Sequence, residues 1–405
     1  MPDALVERDG HGMAATMDHP SGLRGEALEL RVASTIGREE AGMKVLVMGG
    51  TMFNGFALVG ELCAQGHAVT VLNRGKTQAD LPRGVERLVC DRTDADAMRR
   101  VLGGLEFDCI FDVSAYRLED VQLMTELFEG RVGHYVFISS TVIYATSDLL
   151  PITEEHPVDR SERQNEYALN KLACEDFLFE RNAQTGFPAT VVALSMVFGP
   201  RNILPDREQR MFARLLLGRP VMIPGDGTAL AQVGYVEDQA RALRMLMGQP
   251  VSFGRRYNLT GADYFSAEGY VDVIAEVLGR PVQKVFIPAG LMDDLFAGRA
   301  SLLPVKLEAN IETRATSVQS RVAANQFMLS CLVQRLAPHL HGWNRNVLFG
   351  VDRLRRDVGW EPEFDLKRAV EHTWEWFQAQ GLHENPSFDF GWEDELLRQI
   401  EATAV

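Results

Sequence analysis

The sequence predicts an α/β fold, a doubly wound parallel sheet with a smaller C-terminal α/β lobe. Three observations carry that reading. From Met43 to about Pro200, short apolar runs alternate with segments of helical spacing, as β-α-β crossover units require. The first run is followed at once by a glycine-rich turn that opens a helix. After Pro200 the rhythm changes, and helical patterns dominate.

The elements follow in order. Lys44–Met48 is a short apolar run of the kind buried in a parallel sheet. Phe53–Gln65 carries apolar residues at helical spacing. Ala68–Leu72 and Arg87–Cys90 read as the second and third strands, and Ala95–Leu102 as a helix. Cys109–Val113 is a strand, Leu118–Phe128 a helix, His134–Ser139 a strand, Gln164–Arg181 a helix and Ala189–Val197 a strand. Beyond Pro200, helices are expected over Arg207–Leu217, Ser266–Leu278, Ala324–Leu336, Val351–Val358 and Leu366–Gln380. Tyr235–Met247 starts as strand and continues as helix. Residues 289–345 are less regular. The domain reading is an extension at 1–42, with some helix around Leu23–Ile36, and a ligand-binding sheet domain at 43–200. Residues 234–260 return to that domain, and 201–405 form mainly a substrate lobe. Ligands of open α/β sheets bind at the carboxyl ends of the strands, which this lobe would cover.

Composition narrows the function classes. Hydrophobic residues make up 46% and charged residues 24%, so the chain can fill a core without being fibrous or disordered. A net charge of −15 repels phosphate backbones and speaks against nucleic acid as a partner. The five cysteines have no metal-ligand spacing, and their odd, scattered set suits a reducing cytoplasm. His339 and His341 lack a third spaced ligand, so no metal is expected. No apolar run reaches the roughly 18–20 residues needed to span a bilayer.

Gly49-Gly50-Thr51-Met52-Phe53-Asn54-Gly55 sits where a strand hands over to a helix. Glycines there permit a tight turn and close backbone approach, and the helix N-terminus offers free N–H groups to a pyrophosphate. The plain alternative is a strand–helix turn without a ligand. The second strand ends in Asn73-Arg74-Gly75-Lys76. An acidic residue there would accept from a ribose 2′-hydroxyl, whereas a neutral residue followed by cations favours a 2′-phosphate, hence NADP. Asp91, after the third strand, is placed to cap the next helix.

Tyr167 and Lys171 stand four residues apart on one helix face. A phenol with a pKa near ~10 is a poor base at neutral pH. A neighbouring ammonium and a positive nicotinamide ring lower that value, so the phenol can exchange a proton with a substrate hydroxyl while hydride moves. The plain alternative is a solvated helix face. Upstream, Phe137-Ile138-Ser139-Ser140-Thr141-Val142-Ile143-Tyr144 is a strand ending in hydroxyls.

Glycine turn, hydroxyl strand and Tyr/Lys helix, in this order and spacing, resemble the extended short-chain dehydrogenases/reductases of the NAD-dependent epimerase/dehydratase type. The resemblance implies a Rossmann sheet and an NAD(P) cofactor. Alignment on Tyr144 places Ser140 at the catalytic Ser/Thr, beside Tyr167 and Lys171. The family's glycine pattern has a third glycine where this chain has Met52, whose side chain is expected to shift or loosen the pyrophosphate. Cofactor contacts are implied at Gly49, Thr51, Met52, Phe53, Asn54, Gly55, Asn73, Arg74, Lys76, Asp91, Val113, Ser114, Ala115, Lys171, Ser195 and Val197. Substrate contacts are implied at Tyr116, Thr141, Tyr144, Arg201 and Asn202. Further similarity runs through Val197-Phe198-Gly199-Pro200, Pro224-Gly225-Asp226-Gly227, Tyr235-Val236-Glu237-Asp238 and Gly359-Trp360-Glu361-Pro362, so it spans nearly all of 43–380.

Within the family, nucleotide-sugar enzymes commonly hold the substrate diphosphate with an arginine after the P-G-D-G turn. The gap-free position here is Ala231, leaving Arg201, Arg207, Arg210 or Arg214 as possible substitutes. Gly-Gly-Thr-x-Phe at 49–53 and Gln232-Val233-Gly234-Tyr235-Val236 resemble the chloroplast stem-loop-binding branch and its bacterial relatives. Plant members of that branch have largely lost the catalytic tyrosine, whereas this chain keeps Tyr167, Lys171 and Ser140. The leading expectation is therefore a cytoplasmic NAD(P)-dependent enzyme that epimerises or dehydrates a sugar-like small molecule, and the resemblance is compatible with a homodimer. An NADPH ketoreductase is second and a non-catalytic RNA-binding protein third. Glu154, Glu155 and His156 read as a solvated loop rather than cleft residues, and Trp374, Trp376 and Phe377 as lobe packing.

Overall fold

In the computed structural model, the described residues are 42–162, 164–203, 207–302, 318–332 and 342–403. The expected Leu23–Ile36 helix, His339 and His341 lie outside them. Seven strands form one parallel sheet: β1 (Lys44–Met48), β2 (Ala68–Asn73), β3 (Glu86–Val89), β4 (Phe107–Asp112), β5 (Val132–Ser140), β6 (Ala189–Leu194) and β11 (Arg256–Leu259). Their order is β11-β6-β5-β4-β1-β2-β3. Helices α1 (Phe53–Ala64), α2 (Ala95–Leu102), α3 (Leu118–Phe128) and α4 (Glu166–Thr185) provide the crossovers. The sheet is therefore a Rossmann-type doubly wound sheet. β1 pairs with β2 on one side and β4 on the other, so the winding reverses there and a crevice opens at the carboxyl ends of β1 and β4.

The central strands are apolar because both faces are covered. Val45 and Val47 pack towards Leu58, Val59 and Leu62 of α1, while Leu46 and Met48 share a cluster with Met124 and Phe128 of α3. The outer strand β11 pairs with β6 in parallel, Arg256 opposite Val191 through Leu259 opposite Leu194. It follows α6 (Val236–Leu246), which packs on α1.

The rest of the chain builds on shorter pieces. β7 (Val197–Phe198) pairs with β10 (Gly234–Tyr235), β8 (Val221–Pro224) with β13 (Lys284–Ile287), and β9 (Leu230–Ala231) with β12 (Phe265–Ser266). The expected strand Ala189–Val197 is thus two strands, since the chain leaves the main sheet after Leu194 and pairs elsewhere. Helices α5 (Glu208–Leu216), α7 (Ala267–Leu278), α8 (Ala289–Phe296), α9 (Val318–Ser330), α10 (Asp352–Val358) and α11 (Leu366–Ala379) follow. Phe212, Trp374 and Phe377 pack edge-on and stacked in this region's core.

The helical pattern was expected to end with Leu366–Gln380, yet α12 (Gly391–Thr403) follows. Its docking rests on a buried ion cluster. Arg214 Nε and Nη2 donate to Glu393 at 3.0 and 2.9 Å, and its remaining donors reach the Cys331 carbonyl at 3.2 Å. Arg210 donates to the Asp389 carbonyl at 2.7 Å and pairs with Glu393 at 3.3 Å.

His134 shows how burial sets a charge state. The Gly248 N–H donates to its Nδ1 at 3.0 Å, so the proton sits on Nε2, which meets Thr190 Oγ1 at 2.8 Å. Burial pushes its pKa down to about 3. The unfolded chain takes up a second ring proton from about pH 6.5 downward while the folded ring stays neutral, so stability is lost as pH falls from about 6.5 towards 3. Urea titrations across that window are expected to show a shallower acid loss for His134→Gln than for the wild type.

Candidate active site

The turn after β1 is built by close packing. Gly49 has φ +93°, and a Cβ there would lie 3.0 Å from Ser114 Cβ in the turn after β4. A Cβ on Gly55 would lie 2.4 Å from the Gly49 carbonyl oxygen. The glycines thus bring β1, α1 and the β4 turn together, whatever else they bind. Met52 holds the N-cap position of α1 with extended backbone and offers no side-chain cap, and no acidic residue sits in the first turn. An uncapped helix start facing the switch-point crevice suits an anion. Met52 is 47% exposed, and the Thr77 hydroxyl approaches its sulfur at 3.8 Å, so its side chain extends across the loop after β2.

Two buried polar atoms near this turn have no hydrogen-bond partner among the described residues: Asn54 Oδ1 and Asn73 Nδ2. Asn73 Oδ1 accepts from Gly75 N at 2.8 Å, leaving the amide nitrogen free at the end of β2. Arg74 and Lys76 are exposed beside it. Open helix amides, two unsatisfied amide groups and two cations fit a dinucleotide. Asp91 does not cap a helix: its Oδ1 accepts from Thr93 N and Oγ1 at 3.0 and 2.8 Å, and Asp94 caps α2 through Ala97 N at 2.9 Å. The Asp91 carboxyl is held low by those Thr93 bonds, with Arg74 and Lys76 assisting.

Three elements bring the predicted catalytic groups together. Ser140 ends β5, and its hydroxyl accepts from Val142 N at 3.4 Å. Asn165 caps α4 by accepting from Ala168 N at 2.7 Å, which sets Tyr167 in the first turn and Lys171 one turn on. Lys171 Nζ donates to the Ala115 and Ile138 carbonyls, both at 2.7 Å. It also lies 4.8 Å from the ring centroids of Tyr116 and Phe137, and 5.7 Å from that of Tyr167. Burial lowers the Lys171 pKa to about 8, although Asp112 opposes it. Burial raises that of Tyr167 to about 12, Tyr116 adds to the rise, and a hydrogen bond with Ser140 and the charge of Arg207 oppose it. Tyr167 as a whole is nevertheless 43% exposed.

The surrounding architecture is shared with known proteins. Residues 45–260 match the NAD dependent epimerase/dehydratase family. The chain belongs to this family. A relative from Arabidopsis thaliana, the chloroplast stem-loop binding protein of 41 kDa b, is 30% identical over 86% of this chain and 79% of its own length. The 2'-dehydrokanamycin reductase of Streptomyces kanamyceticus is 26% identical over 66% of this chain and 75% of its own. The solved structure of UDP-glucose 4-epimerase from Thermotoga maritima with UDP-glucose superposes with a TM-score of 0.63 at 19% identity, covering 84% of this chain and 99% of that one. Members of this family are extended short-chain dehydrogenases/reductases, and the family is NAD-dependent.

The other predicted residues divide by position. Val113 N donates to the Met48 carbonyl at 3.2 Å, which ties the β4 turn to β1. Ser195 Oγ meets Thr260 Oγ1 at 2.8 Å, and Val197 is buried in β7. Tyr116 is 52% exposed, with its ring 6.1 Å from that of Tyr167. Thr141 is buried, its hydroxyl without a partner among the described residues. Tyr144 does not reach the cleft: it is fully buried, donates to Asn258 Oδ1 at 2.7 Å and packs on Phe349. Asn202 is turned inward, donating to both Glu208 oxygens at 2.9 and 3.1 Å. Arg201 is exposed and stacks on Phe56 of α1 rather than on the lobe. Glu154 is not solvated, since it accepts from Asn258 N at 2.9 Å with its side chain 4% exposed.

Sequence reasoning missed the ionic frame of this site. Arg92 grips Asp112 with two bonds of 2.7 and 3.0 Å, donates to Ser114 Oγ at 2.9 Å and pairs with Asp120 at 3.1 Å. Asp120 Oδ2 in turn accepts from Tyr116 N and Arg117 N at 2.9 and 3.0 Å. Tyr135 donates to Asp112 at 2.7 Å. Burial pushes the Asp112 carboxyl up, but Arg92 and Tyr135 more than reverse it. The legible signal was an acid at the end of the apolar run Cys109-Ile110-Phe111-Asp112. Asp112→Asn leaves Arg92 without its main counter-charge, and a loss of about 3 kcal/mol is expected in urea unfolding. The double variant Arg92→Met/Asp112→Leu is expected to recover part of it.

Proposed function

We propose that this protein is an NAD(P)-dependent oxidoreductase of the epimerase/dehydratase type, acting on a secondary hydroxyl or ketone of a sugar-like small molecule. The observation that carries this reading is the convergence of Ser140, Tyr167 and Lys171 beside the switch-point crevice. The bound nicotinamide supplies the hydride acceptor or donor. Tyr167 Oη passes the proton to or from the substrate oxygen, and Ser140 holds that oxygen by a hydrogen bond. Lys171 keeps a positive charge near the phenol and has a third N–H for the cofactor ribose, since two are engaged by carbonyls. The phenol is a weak base in the free protein, held at about 12. A positive ring beside it lowers that value, so its basicity is expressed only when cofactor is present.

A net reduction of a ketone by NADPH is the second reading, and four observations favour it. Ala231, in the position of the family's diphosphate-binding arginine, is 5% exposed within the β9–β12 pair. Arg210 and Arg214, two of the possible substitutes, are engaged by Glu393. Exposed Arg74 and Lys76 favour a 2′-phosphate. The similarity to 2'-dehydrokanamycin reductase supports a substrate without a nucleotide.

Denaturing the purified protein and identifying the released cofactor separates these readings. Retained NAD is expected for epimerisation or dehydration, and exchangeable NADPH for reduction. An RNA complex with no affinity for either dinucleotide would overturn both. In turnover assays with sugar-derived ketones and alcohols, Tyr167→Phe is expected to lower kcat by about 10²–10⁴-fold. Its cofactor affinity, followed by NAD(P)H fluorescence, is expected to stay unchanged.

A further inference from the structure

Two non-glycine residues of the described chain have left-handed backbone, Phe53 at φ 35° and Arg201 at φ 64°. They lie far apart in sequence, yet both bear on the first turn of α1. Phe53 opens that helix. The Arg201 guanidinium stacks on Phe56, its carbon 4.4 Å from the ring centroid. Helical side chains lean towards the N-terminus, so the Phe56 ring covers the turn that carries the open amides. The cation therefore lies beside the uncapped helix start.

Arg201 is held there from both sides. Its own turn is anchored by Glu208, which accepts from Gly199 N at 3.1 Å and from Asn202 Nδ2. Gln209 Nε2 adds a bond to the Asn202 carbonyl at 3.3 Å. No carboxylate pairs with the Arg201 guanidinium and nothing hydrogen-bonds it among the described residues, so its contact over the Phe56 ring leaves its N–H donors unengaged there. Arg92, which reaches the glycine turn through Ser114, is engaged by Asp112 and Asp120. Strained backbone held in this way suits a residue with a ligand to meet.

We propose that Arg201 is a clamp for the cofactor diphosphate. The helix amides of α1 hold the anion from one side, and the guanidinium closes on it from the other. The clamp makes up for Met52, which stands where a third glycine would allow closer approach. This assigns Arg201 to the cofactor rather than to the substrate, and it rests on the dinucleotide reading above.

ADP and adenosine differ by the diphosphate, so their affinities, measured calorimetrically at low salt, test the clamp directly. Arg201→Gln is expected to weaken ADP by about ten- to a hundredfold and to leave adenosine within about twofold. Arg201→Lys is expected to fall between, because it keeps the charge and loses the planar fork. Phe56→Leu, which removes the platform and keeps the cation, is expected to weaken ADP less than Arg201→Gln. Unchanged ADP affinity in Arg201→Gln overturns the clamp while leaving the cofactor reading intact. An equal loss of ADP and adenosine assigns Arg201 to pocket integrity and overturns it as well. A wild-type protein that binds neither ADP nor NAD(P) removes the dinucleotide reading and the clamp together.

Discussion

The reversal of strand order between β1 and β4 is the constraint on which the rest of the molecule depends. Right-handed crossovers carry the chain from β1 outward to β2 and β3, then back past β1 to β4 and on towards β6. The turns after β1 and β4 then diverge in direction but begin side by side. Gly49 and Ser114 meet at that point so closely that a Cβ on the glycine would crowd the serine. No crossover helix fills the crevice above them, and Ser140, Tyr167 and Lys171 approach it from the end of β5 and the start of α4. The site is a consequence of winding, and its residues are those that the winding places there.

Burying an ammonium beside this crevice imposes a second condition. Lys171 is 2% exposed, so its charge needs partners, and the carbonyls of Ala115 and Ile138 supply them. Those carbonyls must stay in place. β5 fixes Ile138 by strand pairing. Ala115 lies in a turn with no ladder of its own, and there the Arg92–Asp112–Asp120 frame acts, with Asp120 holding the turn amides. One helical turn beyond Lys171, Glu175 is also buried, bonded by Ser139 and by Arg256 Nε at 2.7 Å. Arg256 belongs to β11, so the late return of the chain to the sheet also steadies α4.

The remainder of the chain is anchored by a comparable device. Glu393 of α12 sits between Arg210 and Arg214 of α5. Glu208, in the same helix, holds the turn that carries Arg201. One short helix thus links α12 to the turn whose arginine lies over Phe56 of α1. The four arginines that resembled substrate ligands in the sequence are divided by their neighbours: Arg210 and Arg214 lie inside an ion cluster, Arg201 lies over Phe56 of α1, and Arg207 is near enough to Tyr167 for its charge to act on that phenol.

The linear chain by itself determined the parallel sheet and singled out Ser140, Tyr167 and Lys171, the trio proposed to carry the chemistry. Both are written in local terms: apolar runs of strand length, helical spacing, and a phenol and an amine one turn apart. Ala95–Leu102 and Leu118–Phe128 have the very bounds that their periodicity implies. The pairs between segments distant in sequence were not legible, since Arg92 with Asp112, Arg210 with Glu393, and Tyr144 with Asn258 lie 20, 183 and 114 residues apart. Tyr144 and Asn202 look like ligands in sequence because a polar side chain carries no mark of which way it faces. Only packing decides that, because a buried hydroxyl or amide must find its partner inside the protein, and which partner is near depends on how distant segments meet.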